Sequence, residues 1–278
     1  EPLVEFLGAA TKWIDLFMKQ GAGFGVKTMG EHQFRFRGNW KIQLENTTDG
    51  YHFPIVHKSF MSSVDEETSE MLSFMTDEQA VTHSLGNGHS VMVMVPEHVD
   101  LDHDDGTEQL QERFAHVTEE LSKTMPPEQV RRIVRSLHGA GFNLNLFPNV
   151  ACSMAFFRVL QPISVTETEI HHSVITMDGG PAAAHRSRLR LHEHFQGPMG
   201  FGTPDDGEAW ERVQKGAHAG EDDLVGLPHV GRAQSQRCDD RKHGRMFGPT
   251  LRHVGDAHSQ VKKPQPFGKG FCIQWFVG

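Results

Sequence analysis

The stretch NWKIQLENTTDGYHFPIVHKSF, residues 39–60, places one acid and two histidines within nine residues: Asp49, His52 and His57. A hydrophobic, strand-like run precedes them, and Pro54 lies between the histidines. Five residues of ideal helix turn through about 500°, which leaves two rings roughly 140° apart around the axis and off a common face. Pro54 alters this, because proline lacks the backbone N–H and cannot continue a helical ladder. A helix broken there can turn both imidazoles toward one point. Asp49 lies three residues before His52, on the same side of a helix. From there it can hydrogen-bond the ring nitrogen that a metal-bound histidine leaves unused. Spacing alone leaves two readings open: a metal site, or a capping aspartate with two ordinary hydrogen-bonded histidines.

The flanking sequence sets this stretch among strands and helices. Residues 32–46, HQFRFRGNWKIQLEN, alternate polar and apolar, with Phe34, Phe36, Trp40, Ile42 and Leu44 as one set. That period predicts a strand with a turn or bulge near Gly38. Residues 48–60 read as a helical segment interrupted at Pro54. Upstream, Leu3, Phe6, Leu7, Ala10, Trp13, Ile14 and Phe17 recur at helical spacing over residues 1–20, and GAGFG (21–25) ends that helix. Residues 80–97 predict two short strands around the turn GNG. Residues 107–137 predict an amphipathic helical region, with a second helix starting at Pro126–Pro127. A series of strands follows over 141–177. Residues 182–195, AAAHRSRLRLHEHF, fit either the start of a helix or an alternating strand. A Gly/Pro-rich loop then leads into a helix with Asp205 and Asp206 at its start, where carboxylates suit exposed backbone N–H groups.

The composition narrows the class. A chain of 278 residues with 37% hydrophobic and 23% charged content suits a globular protein with a sizeable core. No apolar run approaches the roughly 20 residues of a membrane span. The first residues, EPLVEFLGAATKW, have no basic segment followed by an apolar core, so no signal peptide is expected there. A net charge of −9 argues against a nucleic-acid partner. Cys152, Cys238 and Cys272 are far apart and form no C-x-x-C pair, which fits a reducing cytoplasm rather than a disulfide framework. The charge is uneven. Residues 228–278 hold nine Lys/Arg against three Asp/Glu, leaving 18 against 33 for residues 1–227. The chain therefore divides at 227/228 into a domain and an atypical basic tail.

Other clusters compete for the chemistry. Ferrous oxygenases use two histidines and one carboxylate on one face of the metal, and Asp205 or Asp206 could supply the acid. Local pattern alone favours reading those aspartates as a helix-capping pair. His192 and His194, in LHEHF, would point the same way on a strand and offer an H-x-H site, although Arg186, Arg188 and Arg190 on that face suggest solvent. Cys152 sits in an apolar strand and reads as an inert buried thiol. GAGFG lacks the spacing of a nucleotide loop.

At GNWKIQLENTTDGYHFPIVH the chain resembles the large (alpha) subunit of the Rieske-type aromatic-ring-hydroxylating oxygenases, in its C-terminal catalytic domain. Every fixed position of N-W-K-x-x-x-E-N-x-x-D-x-Y-H-x(4,5)-H is present. PLVEFLG, NLFPN, RVLQPISVTETEI and GPMGFGTPDDGEAWERVQKG resemble further family segments in the right order, over about residues 1–226, and the flavour is that of the benzoate- and salicylate-type hydroxylases. The resemblance implies an α+β fold, an antiparallel sheet with helices packed on it in a helix-grip arrangement. It implies that His52, His57 and Asp206 ligate a mononuclear Fe(II), and that Asp49 bridges toward a Rieske [2Fe-2S] cluster on a neighbouring subunit. Asn46 and Phe195 match positions near the iron and the pocket.

The implied reaction is hydroxylation of an aromatic compound, an aromatic acid by its flavour, with O2. Electrons would come from NADH through a reductase, with or without a ferredoxin. The implied assembly is an alpha-subunit trimer, alone or with small beta subunits. No cysteine here fits the C-x-H and C-x-x-H ligands of a Rieske cluster, so the resemblance covers a catalytic domain without its own electron donor. The rival function is a non-catalytic module of the same fold that holds a hydrophobic ligand.

Overall fold

The structure, a computed structural model, describes residues 2–64, 80–103 and 107–219. The expected division at 227/228 and the basic tail lie outside these residues. Seven strands form one antiparallel sheet: β1 (Gly25–Phe36), β2 (Val81–Gly86), β3 (His89–Val93), β4 (Ala140–Leu146), β5 (Val150–Met154), β6 (Phe156–Ser164) and β7 (Glu167–Asp178). Their order is β1-β7-β6-β5-β4-β3-β2. Strands β2 to β7 thus pair with their sequence neighbours, and β1 closes against β7 with Phe34 opposite Ile170. This is the α+β fold with helices on an antiparallel sheet.

The helices are α1 (Leu3–Leu7), α2 (Ala10–Met18), α3 (Trp40–Asn46), α4 (Phe53–Val56), α5 (Lys58–Met61), α6 (Thr107–Arg113), α7 (Ala115–Ser122), α8 (Pro127–Ser136), α9 (Ala182–Phe195) and α10 (Gly202–Ala219). None among the described residues is long and apolar enough to cross a membrane. The single helix expected over residues 1–20 is two, because Gly8 takes a positive φ of 48° between α1 and α2. Within the series of strands expected over 141–177, the stretch MAFFRVLQPI (154–163) contains a reversal at Met154 and Ala155, which pairs β5 with β6. Residues 182–195, left open between helix and strand, are helical.

Period two assigns the two faces of the sheet. In β4, Phe142 and Leu144 pack with Leu16 and Phe17 of α2. On the opposite face, Asn143 Nδ2 donates to Thr47 O at 2.8 Å and Asn145 Nδ2 donates to Leu44 O at 2.7 Å. Side-chain amides of the sheet thus satisfy carbonyls at the end of α3, where the helical ladder leaves them unpaired. Leu160, Ile170, Phe36, Ile42, Leu44 and Trp210 form one core cluster that joins β6 and β7 to α3 and α10.

Helix α3 corrects the expected strand at WKIQLEN. Asn39 caps it, its Oδ1 accepting from Lys41 N at 3.1 Å. Strand β1 ends at Phe36, and Gly38 follows, where a Cβ would come within 2.7 Å of the Phe36 ring. The buried positions Ile42, Gln43 and Leu44 are consecutive, because the helix is covered by the sheet on one side and α10 on another. A short helix buried this way shows no helical period, and its alternation mimics a strand.

This packing predicts a stability split on β6. Leu160→Ala, at a fully buried position, should cost about 2–5 kcal/mol. Ile163→Ala, at 46% exposure, should stay within about 0.5 kcal/mol. Denaturant unfolding of both variants, followed by tryptophan fluorescence, checks the pair; equal losses would contradict the shared core.

Candidate metal centre

Helix α3 delivers Asn46, and the chain then turns through Asp49, whose Oδ1 accepts from Tyr51 N at 2.8 Å. His52 is the N-cap of α4 and His57 its C-cap. Pro54 sits in the first turn of α4, where no ladder N–H is required. The break that the sequence placed at Pro54 is therefore at His57, whose φ of −98° and ψ of 23° separate α4 from α5. Two short helices joined at His57 stand here, and the imidazole centroids lie 5.4 Å apart.

Helix α10 is fastened to the same corner. Arg37 N donates to Glu211 Oε1 at 2.9 Å, and Asn39 N donates to Gln214 Oε1 at 2.8 Å. Trp210 lies buried against Phe36, with ring centroids 5.0 Å apart. At the start of α10, Asp205 Oδ2 accepts from Ser59 Oγ at 3.3 Å. The two aspartates thus divide. Asp205 ties α10 to α5, and Asp206, only 4% exposed, points inward.

Asp206 Oδ1 lies 3.1 Å from His57 Nε2 and 3.6 Å from His52 Nε2. One ligand atom from each of the three residues lies within 4.8 Å of the others, the one such group among the described residues. Ligands at roughly 2.1 Å from a common first-row cation stand about 3 Å apart in adjacent positions. The donor set and its spacing fit an ion bound by two imidazoles and a carboxylate. Asn46 Nδ2 lies 3.1 Å from His52 Nε2 and 3.4 Å from Asp206 Oδ1, bridging the two. Asp49 Oδ2 lies 3.5 Å from His52 Nδ1, too long for a strong hydrogen bond but close enough to favour a proton on that nitrogen. Burial is the largest single influence on His52 and opposes its protonation. Asp49 and Asp206 together outweigh it and hold His52 above the ordinary histidine range.

The three residues line a cavity of about 430 Å³. Phe195 is on its wall, with centroids 5.0 Å from His57 and 4.6 Å from Phe60. Gly202 permits this packing, since a Cβ there would sit 2.5 Å from the Phe195 ring. Asn46, Asp49, His52, His57, Phe195 and Asp206 all border the one cavity.

The H-x-H alternative is corrected. His192 and His194 lie on helix α9, about 200° apart, not on a strand. His192 packs toward His172, and His194 toward Phe60. The arginines beside them also divide, Arg188 buried and Arg186 beside Glu120 at the surface. Cys152 is buried in an apolar setting that pushes its thiol up to about 12. Among the cavity residues that sequence reasoning missed is Arg158. The signal was available, because period two puts an arginine between Phe156 and Leu160 on the buried face of β6.

Residues 25–265 match the family described as ring hydroxylating alpha subunit (catalytic domain). The match runs past residue 227, where the charge balance changes. The chain is 28% identical over 235 residues to the anthranilate 1,2-dioxygenase large subunit of Acinetobacter baylyi, covering 78% of this chain and 47% of that protein. It is 29% identical over 233 residues to the toluate 1,2-dioxygenase subunit alpha of Pseudomonas putida, covering 79% and 48%. The 2-halobenzoate 1,2-dioxygenase large subunit of Burkholderia cepacia is 26% identical over 244 residues, covering 82% and 49%. The chain spans about half the length of the curated relatives it matches. Among solved structures, naphthalene 1,2-dioxygenase with indole bound superposes with a TM-score of 0.57 at 22% identity, over 80% of this chain and 49% of that one. That likeness is one of fold.

Glu45, on α3, gives a pH test of this corner. Burial, and then the charge of Asp49, push its carboxyl from 4.5 up to about 7. A carboxyl raised on folding favours the fold below pH 4.5, and that advantage is lost as pH rises to about 7. Glu45→Gln should therefore gain stability over the native chain between those values and hold a constant lead above them. Melting temperatures at pH 5, 6, 7 and 8 check this; a gap that does not change with pH would contradict it.

Proposed function

Because this chain belongs to the ring hydroxylating alpha subunit (catalytic domain) family, we propose that it is the catalytic-domain portion of an oxygenase that hydroxylates an aromatic acid. The observation that carries this reading is the convergence of His52, His57 and Asp206 on one wall of an apolar cavity. Three relatives are named for anthranilate, toluate and 2-halobenzoate, each a benzene ring bearing a carboxylate.

His52 and His57 would hold Fe(II) through imidazole nitrogens and Asp206 through a carboxylate oxygen. When bound, the ferrous ion supplies reductive activation of dioxygen. Asp49 keeps the His52 proton on Nδ1 and so leaves the Nε2 lone pair for the metal. Before a metal binds, the Asn46 amide holds His52 and Asp206 in register. Phe53, Phe60 and Phe195 give the cavity walls on which a flat ring can lie, and they exclude water from the reacting face. Electrons would reach the site from NADH through a partner reductase, with or without a ferredoxin, and a Rieske [2Fe-2S] centre. Asp49 is 32% exposed at its side chain and is the residue proposed to face that centre on a neighbouring alpha subunit. The assembly proposed is an alpha-subunit trimer, alone or with small beta subunits. The catalytic domain is proposed to end near residue 227, with residues 228–278 apart from it.

Iron content tests the centre. The native chain, loaded anaerobically with Fe(II), should retain about one iron per chain. His57→Ala and Asp206→Ala should lose it, and His192→Ala should keep it. Iron at about 100 times its dissociation constant should add about 2.7 kcal/mol of stability, which a chelator removes. With reductase and NADH the chain by itself should give little sustained product. Absence of iron, with stability unchanged in His57→Ala, would favour a hydrophobic-ligand-binding module instead.

A further inference from the structure

We propose that Arg158 is the anion anchor of the cavity and receives the carboxylate of the aromatic substrate on its Nη1 edge, an assignment that rests on the aromatic-acid reading above. Arg158 lies on β6, is 3% exposed and borders the cavity. Its Nε donates to His172 Nδ1 at 3.0 Å. Its Nη2 donates to Gln196 Oε1 at 2.6 Å and to Thr203 Oγ1 at 2.9 Å. All three acceptors are neutral. Phe156 and Trp210 flank the guanidinium, with ring centroids at 5.0 and 5.8 Å. No carboxylate among the described residues forms an ion pair with it; Asp206 acts on it only through its field.

Nη1 has no hydrogen-bond partner among the described residues, yet it is not one of the sealed, unpartnered atoms of the interior. The other buried arginines behave differently. Arg135 donates to Leu101 O, Glu97 O and Thr107 Oγ1. Arg188 donates to Gln20 O and Ser136 O. Both staple backbone, and neither borders the cavity. Burial lowers Arg158 only to about 10, so it remains a cation at neutral pH.

A buried cation with only neutral partners is costly, and a ligand carboxylate offers the missing charge in the planar shape that a guanidinium edge matches. Arg113, also on the cavity wall, is half-buried at the end of α6 and has contacts of its own.

Calorimetric titration of the full chain with benzoate and with benzamide, its uncharged isostere, tests the anchor without turnover. Benzoate should bind more tightly by about tenfold to a hundredfold. Arg158→Gln should abolish that preference and leave benzamide binding unchanged, while Arg113→Gln keeps the preference. Equal binding of the two ligands by the native chain, or undetectable binding of benzoate, overturns the anchor with no variant needed. So does a preference that survives Arg158→Gln or disappears in Arg113→Gln. If Arg158→Gln does not fold, Arg158→Lys is read instead: selective weakening of benzoate supports the anchor, and unchanged benzoate binding overturns it. Iron content of the same preparations separates the two readings. Selectivity without iron sinks the oxygenase reading alone, and iron without selectivity sinks the anchor alone.

Discussion

A carboxylate buried as deeply as Asp206 must find compensation, and the organisation of this molecule follows from where it is found. Removing a carboxylate from water costs several kcal/mol unless partners replace the lost hydration. Asp206 has the Asn46 amide and the two imidazoles of His52 and His57 within 3.6 Å. These come from a segment about 150 residues earlier in the chain, so the α3–α4 corner and the start of α10 must be held together. The clamp is built one to two turns beyond Asp206 on α10. Glu211 and Gln214 accept from the backbone ahead of α3, and Trp210 fills the core beneath. The positions of His52, His57 and Asp206 are thus fixed by the elements clamped around them.

The sheet gives this corner its floor. Strand alternation sends Phe142 and Leu144 to one face and Asn143 and Asn145 to the other, and those amides seal the carbonyls at the end of α3. Because α3 is held by side-chain amides as well as by apolar contact, its register along the sheet is specified. A slip by one residue would unpair two buried carbonyls. The turn that follows therefore starts from a fixed point, and Asp49 and His52 inherit that precision.

How much of this could be read from sequence depended on the range of each interaction. The strands at 81–93 and 140–178, and the end of β1 from residue 32, were legible because alternation reports a half-buried surface directly, whereas residues 25–31 were not read as strand. Asp49, His52 and His57 were legible as a group because they are local. Asp206 was not recoverable from spacing, since nothing in PDD distinguishes a ligand from a helix cap; only the family resemblance chose between the two aspartates. Helix α3 was misread because it is covered on several sides, so burial erased its period. Pro54 drew attention as the breaker, yet the break falls at His57, where no residue type announces it. Arg158 was overlooked although its signal was local: a lone cation on the buried face of an apolar strand.

The cavity keeps its two opposite charges apart. Arg158 and Asp206 sense one another's field, but the guanidinium donors go to His172, Gln196 and Thr203. A direct ion pair would have satisfied both groups and removed both from chemistry. Thr203, one turn ahead of Asp206 on α10, takes an Arg158 donor and so holds the cation at a distance from the carboxylate. The same contact ties β6 to the helix that carries Asp206. Neutral hydrogen-bonding groups between two buried charges leave one charge to the imidazoles and the other with an edge toward the cavity.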